Sequence, residues 1–247
     1  MNEILTCLHR RRSVRAFTGE PVTAEEKRTI LEAAVQAPTA GNQQLYTILD
    51  ITDLELKTRL AETCDDQPFI ASAPVVFIFC ADCRKWFDAY VEAGCAPRRP
   101  GPGDLLLAVD DALIAAQNAV IAAESMGLGS CYIGDIMEQH EEHRRLLGLP
   151  AWVFPAAMLV MGRPAPGQKE HRGPQRAALE HIVHENRYRR MDGAELRAMF
   201  AHRTQEQGFD AWMDAFCRRK YDSDFSREMS RSVGEYLRDL ENDEPMD

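Results

Sequence analysis

Arg10-Arg-Arg-Ser-Val-Arg-Ala-Phe17 sets four arginines and a serine into six residues near the start of a 247-residue chain. The chain as a whole is acidic, with a formal net charge of −10 at pH 7. Guanidinium concentrated at one point of an acidic chain suggests a local anion site rather than a polyanion-binding face. Arginine forks match phosphate oxygens with parallel N–H···O bonds, and a serine hydroxyl adds a short third contact. Taken alone, the stretch reads at least as readily as a solvated basic turn, so its meaning depends on what surrounds it.

Upstream, Ile4, Leu5 and Leu8 mark a short amphipathic opening. Downstream, Thr23-Ala-Glu-Glu26 is a capping box, in which threonine accepts from the third helical N–H and glutamate reaches back. The helix it starts carries Ile30, Leu31, Ala34 and Ala37, and Pro38 stops it. Pro38-Thr-Ala-Gly-Asn-Gln-Gln44 is small and amide-rich, a loop. A strand is predicted over Tyr46–Ile51, a helix over Leu54–Thr63 and a central strand over the apolar run Val75–Cys80. Residues 94–104, dense in proline and glycine, are expected to hold no regular structure and to form a mobile lobe or lid.

Leu105–Met126 is the longest predicted helix. Asp110, Asp111, Gln117, Asn118 and Glu124 interrupt its apolar run, so it reads as a buried helix rather than a bilayer span. Gly127 is its expected C-cap. Leu128–Gly134 then gives a tight approach and a short strand, Glu138–Leu147 a polar helix, and Phe154–Met161 a strand ending at Gly162-Arg-Pro164. After Pro166 the chain turns polar and basic, and charged helices dominate from Ala194. This suggests a core over 1–166 and a basic loop with a helical extension over 167–247.

Several classes of function are excluded. Acidity argues against general nucleic-acid binding, and the 45% apolar, 28% charged composition is that of an ordinary soluble protein. No basic segment followed by an apolar one opens the chain, and the seven cysteines are odd in number and scattered, which fits reduced thiols in a cytoplasm. Cys80 and Cys83 form one C-x-x-C with no second pair to complete a zinc site, and are read as structural. Nucleophile-elbow, dinucleotide-binding and Walker patterns are absent. His140-Glu-Glu-His143 lacks the four-residue spacing of a zinc pair and is expected to be a solvated face, so no metal is predicted.

Four stretches together carry a family resemblance: Arg11-Arg-Ser-Val-Arg-Ala-Phe17, Ala33–Gln44, Ala122–Gly134 and Met161-Gly-Arg-Pro164. In this order they resemble the opening flavin motif, the helix and amide loop, the glycine turn and the late strand end of the FMN-dependent nitroreductase and flavin reductase family. The resemblance covers nearly the whole chain. Gln67-Pro-Phe-Ile-Ala-Ser-Ala73 and Val183-His-Glu-Asn-Arg-Tyr188 are similar to the larger, oxygen-insensitive NADPH nitroreductase branch.

The resemblance implies an α+β, three-layer fold with a central mixed β-sheet flanked by helices. It also implies a domain-entwined homodimer in which long central helices cross and FMN lies between subunits. Arg11, Arg12 and Ser13 fall where the family holds the phosphate and ribityl chain, and Arg15 where a basic residue meets the flavin N1–C2=O edge. Thr39 and Asn42 lie in the loop brought near the ring, Asn42 from the partner. Gln67 matches a side chain at the pyrimidine edge, Gly129 and Ser130 the backbone near C4=O and N5, and Arg176 an arginine at the phosphate.

Two positions depart from the pattern. Pro174-Gln-Arg176 stands where relatives have Lys-x-Arg, leaving Lys169 or Arg172 as replacements. The segment around Arg203 lacks the arginine-glycine pattern that meets the NADPH 2′-phosphate, so the hydride donor is NADPH or NADH. The activity implied is reduction of nitro compounds, quinones or free flavin by ping-pong hydride transfer, with no nucleic-acid or membrane partner. The alternatives are a relative with a dedicated substrate, such as a dehalogenase or dehydrogenase, and a flavin-binding or storage protein with little turnover.

Overall fold

A computed structural model describes residues 2–170 and 173–241. Its centre is a four-stranded sheet in the order β1-β2-β4-β3, where β1 is Tyr46–Asp50, β2 Val75–Asp82, β3 Gly129–Ile133 and β4 Val153–Gly162. Every neighbouring pair is antiparallel. Parallel pairing, expected from a mixed sheet, is confined to the isolated bridge between Ser13 and Ser130. β2 and β3 lie on either side of β4 and run in the same direction, so the chain crosses over between them without pairing the two.

All eight residues of β2 are buried, which is why it reads as an unbroken apolar run. Alternate side chains serve different cores. Phe77 and Phe79 join Leu159 and Met161 on one face, while Val76 and Ile78 join Met158 and Val160 on the other. Pro155 sits inside β4 despite lacking an N–H; the β2–β4 register shifts at Phe79/Cys80, which absorbs the missing ladder bond.

On the first face lie α2 (Ala24–Val35) and α6 (Pro102–Ser125). The capping box on α2 is formed as expected, with both Thr23 and Glu26 engaged. Along α6, Ala108, Ala112, Ala115, Ala116, Ala119 and Ala123 are fully buried, and their small side chains let α2 and the sheet approach closely. By length and composition α6 would cross a bilayer, yet its inner face is this core. α1 (Glu3–Arg10) packs on α6. The second core holds α3 (Leu54–Thr63), α4 (Phe69–Ser72) and α7 (His140–Leu147).

Three local expectations change. Residues 84–92, which carried no assignment, form α5 (Arg84–Glu92). The segment 94–104 is not irregular throughout, because Pro102 opens α6. There the missing N–H would be unpaired anyway, and a fixed φ suits the first turn. The Arg98 guanidinium grips the Asp104 carboxylate at 2.6 and 2.9 Å, tying the remaining strap to that helix end. His140 and His143 do not form a solvated face. Spaced one turn apart, both point inward: His143 is fully buried between Ile136 O and Thr63 Oγ1, and His140 packs edge-on against Tyr236.

The chain divides into two compact units, residues 1–171 with 229–247, and residues 172–228. Beyond Gly193, α8 (Gly193–Thr204) and α9 (Phe209–Lys220) belong to the second unit. α10 (Asp224–Glu241) has its residues from Met229 onward in the first. There Tyr236 and Leu240 are buried, Arg144 pairs with Asp239 at 2.7 Å, and the Trp152 indole donates to Asp239 O.

Candidate functional site

The arginine turn is laid along the β3 edge of the sheet. Val14 N donates to Ser130 O at 2.9 Å, and Phe17 bridges Pro164 just past β4. Two glycines make this approach possible. A Cβ on Gly129 would stand 2.4 Å from Val14 Cγ2, and one on Gly162 would stand 2.9 Å from the Phe17 ring. Val14 is fully buried, so its neighbours Ser13 and Arg15 are turned outward. Gln168 fixes the next turn: its Oε1 accepts from Arg15 N and Ala16 N.

Charge at this edge is unbalanced. Among the described residues Arg11, Arg12 and Arg15 have no carboxylate partner, whereas Arg163, on the same side of the sheet end, is shared between Glu20 and Glu26. Arg12 Nη1 caps the carbonyls of His9 and Arg11, leaving its Nε buried without a partner. The Ser130 hydroxyl is likewise buried and unpaired. Burial pushes the Cys131 thiol up, while the adjacent Arg15 and Arg11 guanidiniums and the Ser13 hydroxyl hold it partly down. Buried donors without partners and cations without acids describe a seat for an anionic, hydrogen-bonding ligand.

Lys169 does not add to this seat. Its ammonium bonds Glu124 Oε1 at 2.9 Å and Leu128 O at 3.0 Å, so its charge is balanced inside the protein. Arg172, the other candidate for the missing lysine, lies outside the described residues. Arg176 is exposed in an irregular stretch of the second unit.

Gln67 sits at the other end of β3. The turn before it holds Asp65 and Asp66 in the left-handed region, at φ +61° and +49°. These are conformations that aspartate tolerates better than most residues. Gln67 Nε2 then reaches Cys64 O at 2.7 Å and Asp135 Oδ2 at 3.2 Å, two residues past the strand.

Thr39 and Asn42 form a separate cluster. Thr39 Oγ1 accepts from Gln44 N, and Asn42 is exposed at φ +57°. The whole loop hangs on Asp111 of α6, a residue 3% exposed, whose two oxygens accept from Ala40 N at 2.9 Å and Leu45 N at 3.1 Å. Among the described residues no hydrogen bond joins this loop to the arginine turn or to Gln67. Sequence reading missed Asp111, Asp135, Gln168 and Val14. Asp111 offered the one signal, a carboxylate on the buried side of an apolar helix, which must find donors.

Cys80 and Cys83 are buried, and burial with nearby carboxylates pushes both thiols up to about 12, so they stay protonated and inert. No group of three or more potential metal ligands occurs among the described residues.

An antiparallel sheet between helical layers, with a cationic turn along the end strand, defines an α+β framework with an anion seat at one edge. Residues 8–163 match the model of the nitroreductase family, and the chain belongs to that family. It is 34% identical to an FMN reductase [NAD(P)H] of Bacillus subtilis over 243 residues, 97% of this chain and 93% of that protein. It is 35% identical to an oxygen-insensitive NADPH nitroreductase of Salmonella typhimurium over 191 residues, 76% and 75% of the two chains. The structure of an NADPH:FMN oxidoreductase from Vibrio harveyi complexed with NAD+ superposes with a TM-score of 0.75 at 27% identity, covering 96% and 97%.

Proposed function

We propose that the protein is an FMN-dependent NAD(P)H oxidoreductase that reduces nitro compounds, quinones or free flavin. One observation carries the reading: three guanidiniums without acid partners and a buried unpaired hydroxyl line one strand edge. FMN supplies hydride chemistry at its N5 when bound; the residues of the chain supply binding and orientation. Arg11, Arg12 and Ser13 offer charge-assisted donors suited to a phosphate, and the Ser130 hydroxyl and Gly129 backbone offer neutral contacts suited to a ring edge. Arg15, whose backbone N donates to Gln168 Oε1, would bring a positive charge to where negative charge collects on reduction.

The relatives named for FMN and NAD(P)H support the cofactor pair, and both NADPH and NADH remain within the proposal. The separation of the Thr39–Asn42 loop from the arginine turn supports a homodimer, with each site completed by the partner's loop. Exposed Ile4, Leu5 and Leu8 on α1, with Leu106, Leu107, Leu113 and Ile114 on α6, give that dimer an apolar face. A cytoplasmic location, no nucleic-acid partner and no membrane partner belong to the same reading.

Initial-rate kinetics with NADPH or NADH and a quinone test it. The proposal expects parallel double-reciprocal lines, because donor and acceptor take turns at one face. Failure to oxidise either nucleotide with any acceptor would favour a flavin-storage role instead.

A further inference from the structure

A cavity of about 270 Å³ opens between α5, the strap and the start of α6, and no residue of the arginine turn lines it. Trp86, Phe87 and Tyr90 turn one face of α5 toward it. Pro97, Pro100 and Leu107 complete its apolar lining. The walls are set in advance. The Trp86 indole donates to Gln43 O at 2.7 Å, and the Phe87 ring meets Trp152 edge-on at 5.0 Å. Both prolines have a fixed φ, and the contact between Arg98 and Asp104 ties their segment to α6.

Charge here is arranged differently from the arginine turn. Arg98 and Asp104 are the two ionised residues of the lining, and a two-point contact balances one against the other. Asp104 Oδ2 also accepts from Gly101 N at 2.8 Å. Burial and the carboxylates of Asp104 and Asp82 push the Cys83 thiol, also on the wall, up to about 12, so it stays protonated. An anion entering the cavity would give up water without meeting an unpaired cation. Gln43 supplies a neutral polar edge. Its carboxamide makes no hydrogen bond among the described residues, and it carries two donors and an acceptor.

We propose that this cavity is a second binding site, for uncharged planar aromatics of one or two fused rings that carry a carbonyl or carboxamide on one edge. Sites for drug-sized molecules enclose roughly 300–1,000 Å³, so a cavity just below that range sets this limit on ring number. The ligand ring packs against Trp86, Phe87 and Tyr90, in the offset or edge-to-face contacts that aromatic groups favour. Its carbonyl or amide pairs with the Gln43 carboxamide. The site stands apart from the flavin reading: the arginine turn selects negative charge, and this cavity rejects it.

The probes are 2-naphthamide, 2-naphthoate and 2-methylnaphthalene, which share one ring system and differ in a single substituent. Dissociation constants are measured by equilibrium dialysis of the protein with and without FMN. The parent is expected to bind 2-naphthamide about tenfold or more tightly than 2-naphthoate, and several-fold more tightly than 2-methylnaphthalene. Gln43→Ala should bring the amide and the methyl compound to equal affinity. Trp86→Ala and Tyr90→Ala should each weaken 2-naphthamide several-fold or more. Tyr90 is 39% exposed, so its variant keeps the test open should Trp86→Ala fail to fold. A parent that binds none of the three, or that prefers 2-naphthoate, would overturn the proposal. So would an affinity that neither aromatic variant changes, or a 2-naphthamide that FMN displaces, because the ligand would then lie elsewhere.

Discussion

Gly129→Ala tests how the arginine turn is seated. The added methyl would lie 2.4, 2.7 and 2.9 Å from Val14 Cγ2, Cβ and Cγ1. Real Cβ contacts are not that short, so something must move. Val14 is fully buried and β-branched, with no spare rotamer to retreat into. The backbone of residues 13–15 must therefore shift, which strains the Val14 N–Ser130 O bond of 2.9 Å. Overpacking of this kind costs about 1–3 kcal/mol. Loss of one backbone hydrogen bond adds about 1 kcal/mol. A total of about 2–4 kcal/mol lowers the melting temperature by roughly 4–16 °C for a domain of this size.

Circular-dichroism melts of the flavin-free protein read this shift directly. The matched control is Gly134→Ala, where φ is −80° and the nearest atom to a new Cβ is the Met137 methyl at 3.9 Å. The control should melt within a degree or two of the parent. FMN affinity should fall in Gly129→Ala and hold in Gly134→Ala, since only the first displaces Ser13 and Arg15. A Gly129→Ala protein that melts with the parent and keeps its FMN affinity would refute the close packing of the turn on β3.

Other changes have equally definite outcomes. Asp111→Ala leaves the N–H groups of Ala40 and Leu45 without an acceptor, costing about 1–3 kcal/mol for each that stays buried, and amide exchange at residues 40 and 45 should accelerate. Burial lowers the His143 pKa below its unfolded value of 6.5. Below that pH the unfolded chain binds a proton the native state resists, so urea midpoints should fall as pH drops from 6.5, and His143→Gln should flatten the slope. The Arg231 guanidinium holds Glu141 down at about 2, so that contact contributes above pH 4.5 and is lost as pH falls toward 2; α10 should then exchange faster at low pH. Arg15→Gln should lower the midpoint potential of bound FMN, by roughly 30 mV if the differential stabilisation is about 1.4 kcal/mol. An unchanged potential in anaerobic titration would remove Arg15 from that role.

The parts of the fold legible in sequence were those fixed by local chemistry. The capping box at Thr23 and Glu26 and the apolar run of β2 needed only their own residues to be read. Helix α5 was passed over although Trp86, Phe87, Tyr90 and Val91 share one face; Cys83 at its start makes no side-chain cap to mark where it begins. The buried histidines were misjudged for a related reason: four charged residues share α7 with them, and only tertiary contacts from Thr63 and Tyr236 reveal which side faces inward. At the site, the arginine turn and the amide loop announced themselves by composition. Asp111, Gln168 and Asp135 did not, because each acts across a sequence separation of 66 or more residues on groups that carry no signal alone.

The central claim is that this chain holds FMN at the β3 edge, and its visible spectrum tests that most directly. The purified protein, titrated with FMN and passed through a desalting column, should emerge yellow with near one FMN per chain. The Arg11→Ala/Arg12→Ala double variant should lose most of that colour while keeping the parent's far-UV spectrum. A parent that emerges colourless, or a double variant that retains FMN as the parent does, would contradict the account.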